Sequence, residues 1–179
     1  FRHYSKDITE ELEDKIKVYI TGGSQGSEYI NLNMPHALEP LSESLLIKHQ
    51  CGLDNLEKVK SEYESRNIEA EVLEFFNNPE EHIKWSDFVV SRAGALSLSE
   101  ITSMKKGALM IPLPNSIDNH QYENAKKIED MGMGILHEED EDISYLTDKL
   151  NEIIKDKKYI NWKKNELTIH LNAANEIVK

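Results

Sequence analysis

"KVYITGGSQGSEYI", Lys17 to Ile30, carries an apolar run, Val18 to Ile20, straight into Gly22, Gly23, Ser24, Gln25 and Gly26, with a polar segment behind them. Three glycines where a strand ends have a physical reason. Glycine reaches φ > 0 and lets a second backbone or a ligand approach closely. A glycine turn between strand and helix also points free N–H groups outward, a seat suited to phosphate. The competing reading is a tight strand-to-helix turn with Ser24 as the helix N-cap. Both readings place a strand–turn–helix unit here.

The rest of the chain repeats that unit. Short apolar runs at Lys17–Thr21, Leu45–Gln50, Ala70–Phe76, Phe88–Ser91, Ala108–Pro112 and Gly134–His137 predict six strands. Amphipathic stretches near Ser27–Leu41, Asn55–Arg66, Glu80–Trp85, Leu96–Lys105, Asn119–Met131 and Ile143–Ile154 predict the helices between and after them. Strands without strict polar alternation belong to a parallel sheet covered on both faces. The predicted fold is therefore α/β, a doubly wound Rossmann-like sheet of about six strands with helices on both faces. The repeating pattern occupies 17–157, after an extension over 1–16, and 158–179 reads as a closing helix over Lys158–Val178.

Composition narrows the function. The 179 residues carry 33 acidic against 21 basic side chains, a formal charge of −12. That balance argues against nucleic acid or anionic lipid as a general partner, since both require a basic face. It also leaves any bound phosphate to oriented backbone N–H groups. No apolar run approaches the roughly 18 residues of a membrane span, and no secretory signal is visible. The single cysteine, Cys51, excludes an internal disulfide, fits a reducing cytoplasm and reads as core. The seven histidines show no metal-ligand spacing with cysteine. The first residue, Phe1, points to a piece of a longer protein.

In a doubly wound sheet, ligands bind at the carboxyl ends of the strands. Three of those ends carry unusual chemistry: "GGSQG", "SRAGALSLSE" from Ser91 to Glu100, and "PLPNSIDNHQYENA" from Pro112 to Ala125. Ser97-x-x-Glu100 spells a capping box, which explains both residues without a ligand. Alternatively Glu100 faces the strand ends, where a carboxylate accepts from both hydroxyls of a ribose, while Gly94 and Ala95 leave room. Arg92 reads as a brace for its loop or as a phosphate contact. Asp118-x-x-Gln121 is a second capping-box spelling. Its functional alternative makes His120 and Gln121 partners for sugar hydroxyls. Phe75 and Phe76 read as core, or as a cover for a flat base that also pairs through backbone. Glu139–Asp142, "EDED", reads as a solvated charge run. Gly22-x-Ser24-x-Gly26 also fits a nucleophile elbow, which keeps open a hydrolase using His120 or His137.

Taken in order, "GGSQG", "HQCG" (His49–Gly52), "WSDFVVSRAGALSLSE" (Trp85–Glu100) and "PLPNSIDNHQYENA" resemble the donor-domain motifs of the bacterial MurG family. That family transfers N-acetylglucosamine from UDP to a lipid-linked MurNAc-pentapeptide in peptidoglycan synthesis. The resemblance implies one half of a GT-B fold, the C-terminal, donor-binding half of a hexosyltransferase. It implies that Gly22, Gly23 and Ser24 contact the donor diphosphate and that the backbone of Phe76 reads the uracil. Ala95, Leu96, Ser97, Leu98, Ser99 and Glu100 would wrap the nucleoside, with Glu100 on the ribose. Gln121, helped by His120, would hold the sugar, and Arg2 matches the arginine ending the family's interdomain linker. No cofactor or metal is implied. The resemblance places the acceptor, the membrane contact and the base on an N-terminal domain, so this chain alone is expected to be inactive. The whole protein is expected on the cytoplasmic face of the inner membrane. A non-catalytic nucleotide-sugar-binding subunit, completed in trans by a partner chain, is the alternative.

Overall fold

A computed structural model describes residues 14–162 and 164. Arg2, the 1–13 extension and most of the predicted closing helix lie outside the described residues, although 158–162 are helical. The strands are β1 (Ile16–Thr21), β2 (Leu45–Gln50), β3 (Glu71–Leu73), β4 (Phe88–Ser91), β5 (Ala108–Met110) and β6 (Gly134–Leu136). All neighbours pair in parallel, in the order β3-β2-β1-β4-β5-β6. This is the dinucleotide-fold order, in which the chain reverses direction across the sheet between β1 and β4. The helices are α1 (Glu28–Leu38), α2 (Leu56–Glu64), α3 (Pro79–Trp85), α4 (Ala95–Ser103), α5 (His120–Asp130) and α6 (Ile143–Lys155).

Successive strand residues serve opposite faces, because the side-chain period of a strand is two. Val18 and Ile20 pack with Phe88, Val90, Leu109 and Ile135 under α1, α2 and α6. Tyr19 packs with Val89, Ala108 and Met110 under α3, α4 and α5. Both faces are thus covered, which is why the strands read as continuous apolar runs. Cys51 is fully buried in the first of these clusters, as the sequence predicts.

Helix starts are where the sequence reading needs correction. The N-cap of α1 is Ser27, whose Oγ accepts from the Ile30 N–H at 3.2 Å. Ser24 instead sits in an exposed turn closed by the Gly26 N–H donating to the Gly23 carbonyl at 3.1 Å. Neither capping box forms. Helix α4 starts three residues earlier than its spelling, with Gly94 at the N-cap, so Ser97 and Glu100 lie inside the helix. Helix α5 is preceded by Asp118 and Asn119 in the left-handed region, and the Gln121 N–H donates to Ser116 Oγ. Ser27→Ala is expected to lower stability by about 1 kcal/mol in urea unfolding. Ser24→Ala should change it by less than about 0.5 kcal/mol.

The "EDED" run is not simply solvated. Glu139 pairs with Arg92. Glu141 accepts from Lys149 Nζ at 2.7 Å. Asp142 caps α6 by accepting from the Ser144 N–H at 2.8 Å. These three carboxylates sit where a cation or an unpaired helix N–H awaits them, whereas Asp140 is exposed, as the sequence predicts for the whole run.

Candidate functional site

The glycines of the first loop have separate jobs. Gly26 has φ +74°, and a Cβ there would lie 2.2 Å from the Cys51 carbonyl oxygen. Gly52 meets Gly26 from the other side, so the loops after β1 and β2 touch backbone to backbone. Gly22 is closed in against Ser27. Gly23, with φ +83°, faces open space, and its N–H donates to Thr21 Oγ1 at 3.0 Å. Packing therefore accounts for Gly22 and Gly26, while Gly23 and Ser24 form the open side of the loop.

That open side borders a cleft of about 300 Å³ at the carboxyl ends of β1, β2, β3 and β4. Its floor is Tyr19, Val89 and Ile101, and its walls include Gly23, Ser24, Phe75, Phe76, Ser97 and Glu100. The structure thus brings together predicted residues that follow β1, β3 and β4, from the first and second loops and the end of the third strand, and none from the third loop. The size is at the lower end for a small-molecule site. Glu100 is exposed, and its carboxylate has no ion pair or hydrogen bond among the described residues. Its position one turn into α4 leaves both oxygens available to a ligand. Ala95, Leu96 and Ser99 are exposed on the first turns of the same helix, whereas Leu98 is buried in the core below.

Phe76 is 6% exposed and stacks edge-on against Tyr19 and His82. Its N–H donates to Gln50 Oε1 at 3.1 Å. Phe75, 47% exposed, is the ring that stands at the mouth. Arg92 is a brace: its Nη1 donates to the Ile111 and Pro112 carbonyls and pairs with Glu139. Gln121 does not line this cleft. Its Oε1 accepts from the Ala93 N–H at 3.3 Å and the Leu113 N–H at 2.9 Å, tying the second and third loops together. His120 is exposed beside Asp118 and also stands outside the cleft.

The serine-hydrolase reading fails on geometry. No histidine bonds to Ser24 among the described residues. His137 is fully buried, with Tyr29 at 2.8 Å on Nε2 and Glu141 at 3.2 Å on Nδ1. Burial and the nearby Lys149 hold its pKa down at about 4. Among the described residues, no group of three or more His, Cys, Asp or Glu could hold a metal ion. Nor, among the described residues, is any helix long and apolar enough to cross a membrane.

Two residues at the end of β2 escaped the sequence reading. His49 is fully buried, with Tyr63 Oη at 2.8 Å on Nδ1 and Asn31 Oδ1 at 3.0 Å on Nε2. Asn31 in turn donates to the Cys51 carbonyl, pinning α1 to the loop that Gly26 touches. Burial lowers the pKa of His49 to about 3, from the ordinary 6.5. The unfolded chain therefore binds the extra proton between those values, and stability is full above pH 6.5 and declines as pH falls toward 3. Between pH 8 and pH 5 the loss due to His49 should be about 2 kcal/mol in urea unfolding, and His49→Gln should remove that share. The other missed residue is Gln50, whose side chain bonds to groups at the ends of β1 and β3. The only signal for either was their position at the end of β2, in "HQCG".

Other clefts among the described residues do not gather these side chains. One of about 370 Å³ lies at the amino ends of β2 and β3, beside Trp85. It contains none of the predicted residues.

Comparison with known proteins agrees with this geometry. Residues 17–179 match the family model of the glycosyltransferase family 28 C-terminal domain. A Rickettsia bellii protein named UDP-N-acetylglucosamine–N-acetylmuramyl-(pentapeptide) pyrophosphoryl-undecaprenol N-acetylglucosamine transferase is 40% identical over 159 residues, covering 84% of this chain and 44% of its own length. A Shewanella halifaxensis protein of the same name is 37% identical over 151 residues, 82% of this chain and 41% of the relative. The chain thus spans less than half the length of these relatives. The crystal structure of Acinetobacter baumannii MurG superposes with a TM-score of 0.81 at 26% identity, covering 87% of this chain and 48% of that one. The chain belongs to the glycosyltransferase family 28 C-terminal domains, within the MurG family.

Proposed function

We propose that this chain binds UDP-N-acetylglucosamine as the donor half of a transferase that passes the sugar to a lipid-linked MurNAc acceptor. The observation that carries the reading is the single cleft in which Gly23, Ser24, Phe76 and Glu100 meet at the carboxyl ends of the strands. A uridine nucleotide matches it in parts. The diphosphate lies along Gly23 and Ser24, the ribose hydroxyls meet the Glu100 carboxylate, and the base lies toward Phe75 and Phe76. The N-acetylglucosamine extends toward the junction of the second and third loops that Gln121 holds together.

In this reading UDP is the leaving group, and backbone N–H groups of the first loop meet the charge it gains. The C4 hydroxyl of MurNAc attacks the anomeric carbon from the opposite face, with inversion. The acceptor, the membrane contact at the cytoplasmic face and the base that takes the hydroxyl proton belong to the remainder of the longer protein. The chain brings no cofactor of its own and by itself turns over no substrate. Calorimetric titration of the 179-residue chain tests the reading. UDP and UDP-N-acetylglucosamine should bind saturably and NAD should not; binding of NAD without binding of UDP would refute it.

A further inference from the structure

Gln50 is 7% exposed and sits at the end of β2, where it lines the cleft. Its side-chain amide, on β2, bonds to four groups drawn from the ends of its two neighbours, β1 and β3. Oε1 accepts from the Phe76 N–H at 3.1 Å and from Tyr19 Oη at 3.3 Å. Nε2 donates to the Gly23 carbonyl and to Thr21 Oγ1, each at 3.3 Å. The orientation of the amide is fixed by its partners. A backbone N–H can only donate and a backbone carbonyl can only accept, so the oxygen must face Phe76 and the nitrogen must face Gly23. Tyr19, its phenol pushed up to about 12 by burial, stays protonated and keeps donating. Thr21 Oγ1 also accepts from the Gly23 N–H, so both backbone groups of Gly23 are held by one small network.

We infer that Gln50 is a positioning residue that couples the base end of the nucleotide site, at Phe76, to its diphosphate end, at Gly23. The inference rests on the nucleotide reading above and adds a property to it. A ligand fragment that orders one end should prepare the other, because the same planar amide must satisfy both. An ordinary structural glutamine would raise the affinity of each end independently and couple nothing.

The test divides the ligand. Uridine and inorganic pyrophosphate are titrated into the 179-residue chain separately and together, and backbone amide resonances are followed. In the wild-type protein each fragment should tighten the other at least 3-fold, and pyrophosphate alone should shift the Phe76 amide. In Gln50→Met, close in size but without the four hydrogen bonds, the coupling factor should fall to about 1. Independent binding of the two fragments by the wild-type chain overturns the inference. So does a Gln50→Met chain that keeps the wild-type factor. Should that variant not fold, the wild-type coupling and the Phe76 shift decide alone. Failure of UDP itself to bind would instead sink the nucleotide reading, and the inference with it.

Discussion

Glu100→Ala is expected to weaken UDP binding about 30-fold or more without lowering the stability of the chain. Two hydrogen bonds from ribose hydroxyls to an ionised carboxylate are together worth about 2–3 kcal/mol, and each 1.4 kcal/mol is tenfold in affinity. The fold should not notice the change. Glu100 is exposed, its side chain holds no partner among the described residues, and alanine is the better helix former at an interior position of α4. Calorimetry on the variant, with thermal unfolding alongside, reads both quantities. A Glu100→Ala chain that binds UDP within 3-fold of the wild type would remove the ribose from this helix. The same titration with Glu100→Gln should fall between the two, since the amide keeps one acceptor and loses the charge.

Gly26→Ala should produce the largest effect on stability, about 3–5 kcal/mol, lowering the midpoint of thermal unfolding by about 10 °C. Two costs add. The backbone is left-handed at φ +74°, and the new methyl would overlap the Cys51 carbonyl, a backbone atom that cannot swing aside. Gly23→Ala provides the contrast. It pays the positive φ but meets nothing within 4 Å, so about 1 kcal/mol is expected. Equal losses in the two variants would show that the contact between the first two loops is not what the glycines maintain.

These predictions show which parts of the molecule were legible in the amino-acid order. Strands β2 and β4 carry the predicted bounds, and in β4 burial on both faces makes "FVV" a continuous apolar run. Strand β3 is shorter than Ala70–Phe76, since it lies at the sheet edge and only Glu71–Leu73 find partners on β2. The helix starts were misplaced where a polar spelling competed with the backbone. Ser97-x-x-Glu100 looks like a cap, but Gly94 already begins the helix, and this frees Glu100 for the cleft. Gln121 and Arg92 were visible as unusual residues, whereas their work, tying loops together through backbone groups, depends on which strands neighbour one another. Gln50 was the least legible of all. Nothing local distinguishes a glutamine at a strand end until the order β3-β2-β1 sets Phe76 and Gly23 on either side of it.

The most direct measurement is a crystal of the 179-residue chain soaked with UDP. The diphosphate is expected against Gly23 and Ser24, the ribose hydroxyls on the Glu100 carboxylate and the base beside Phe75 and Phe76. UDP seated elsewhere, for instance in the cleft beside Trp85, with the space between Ser24 and Glu100 left vacant, would contradict it.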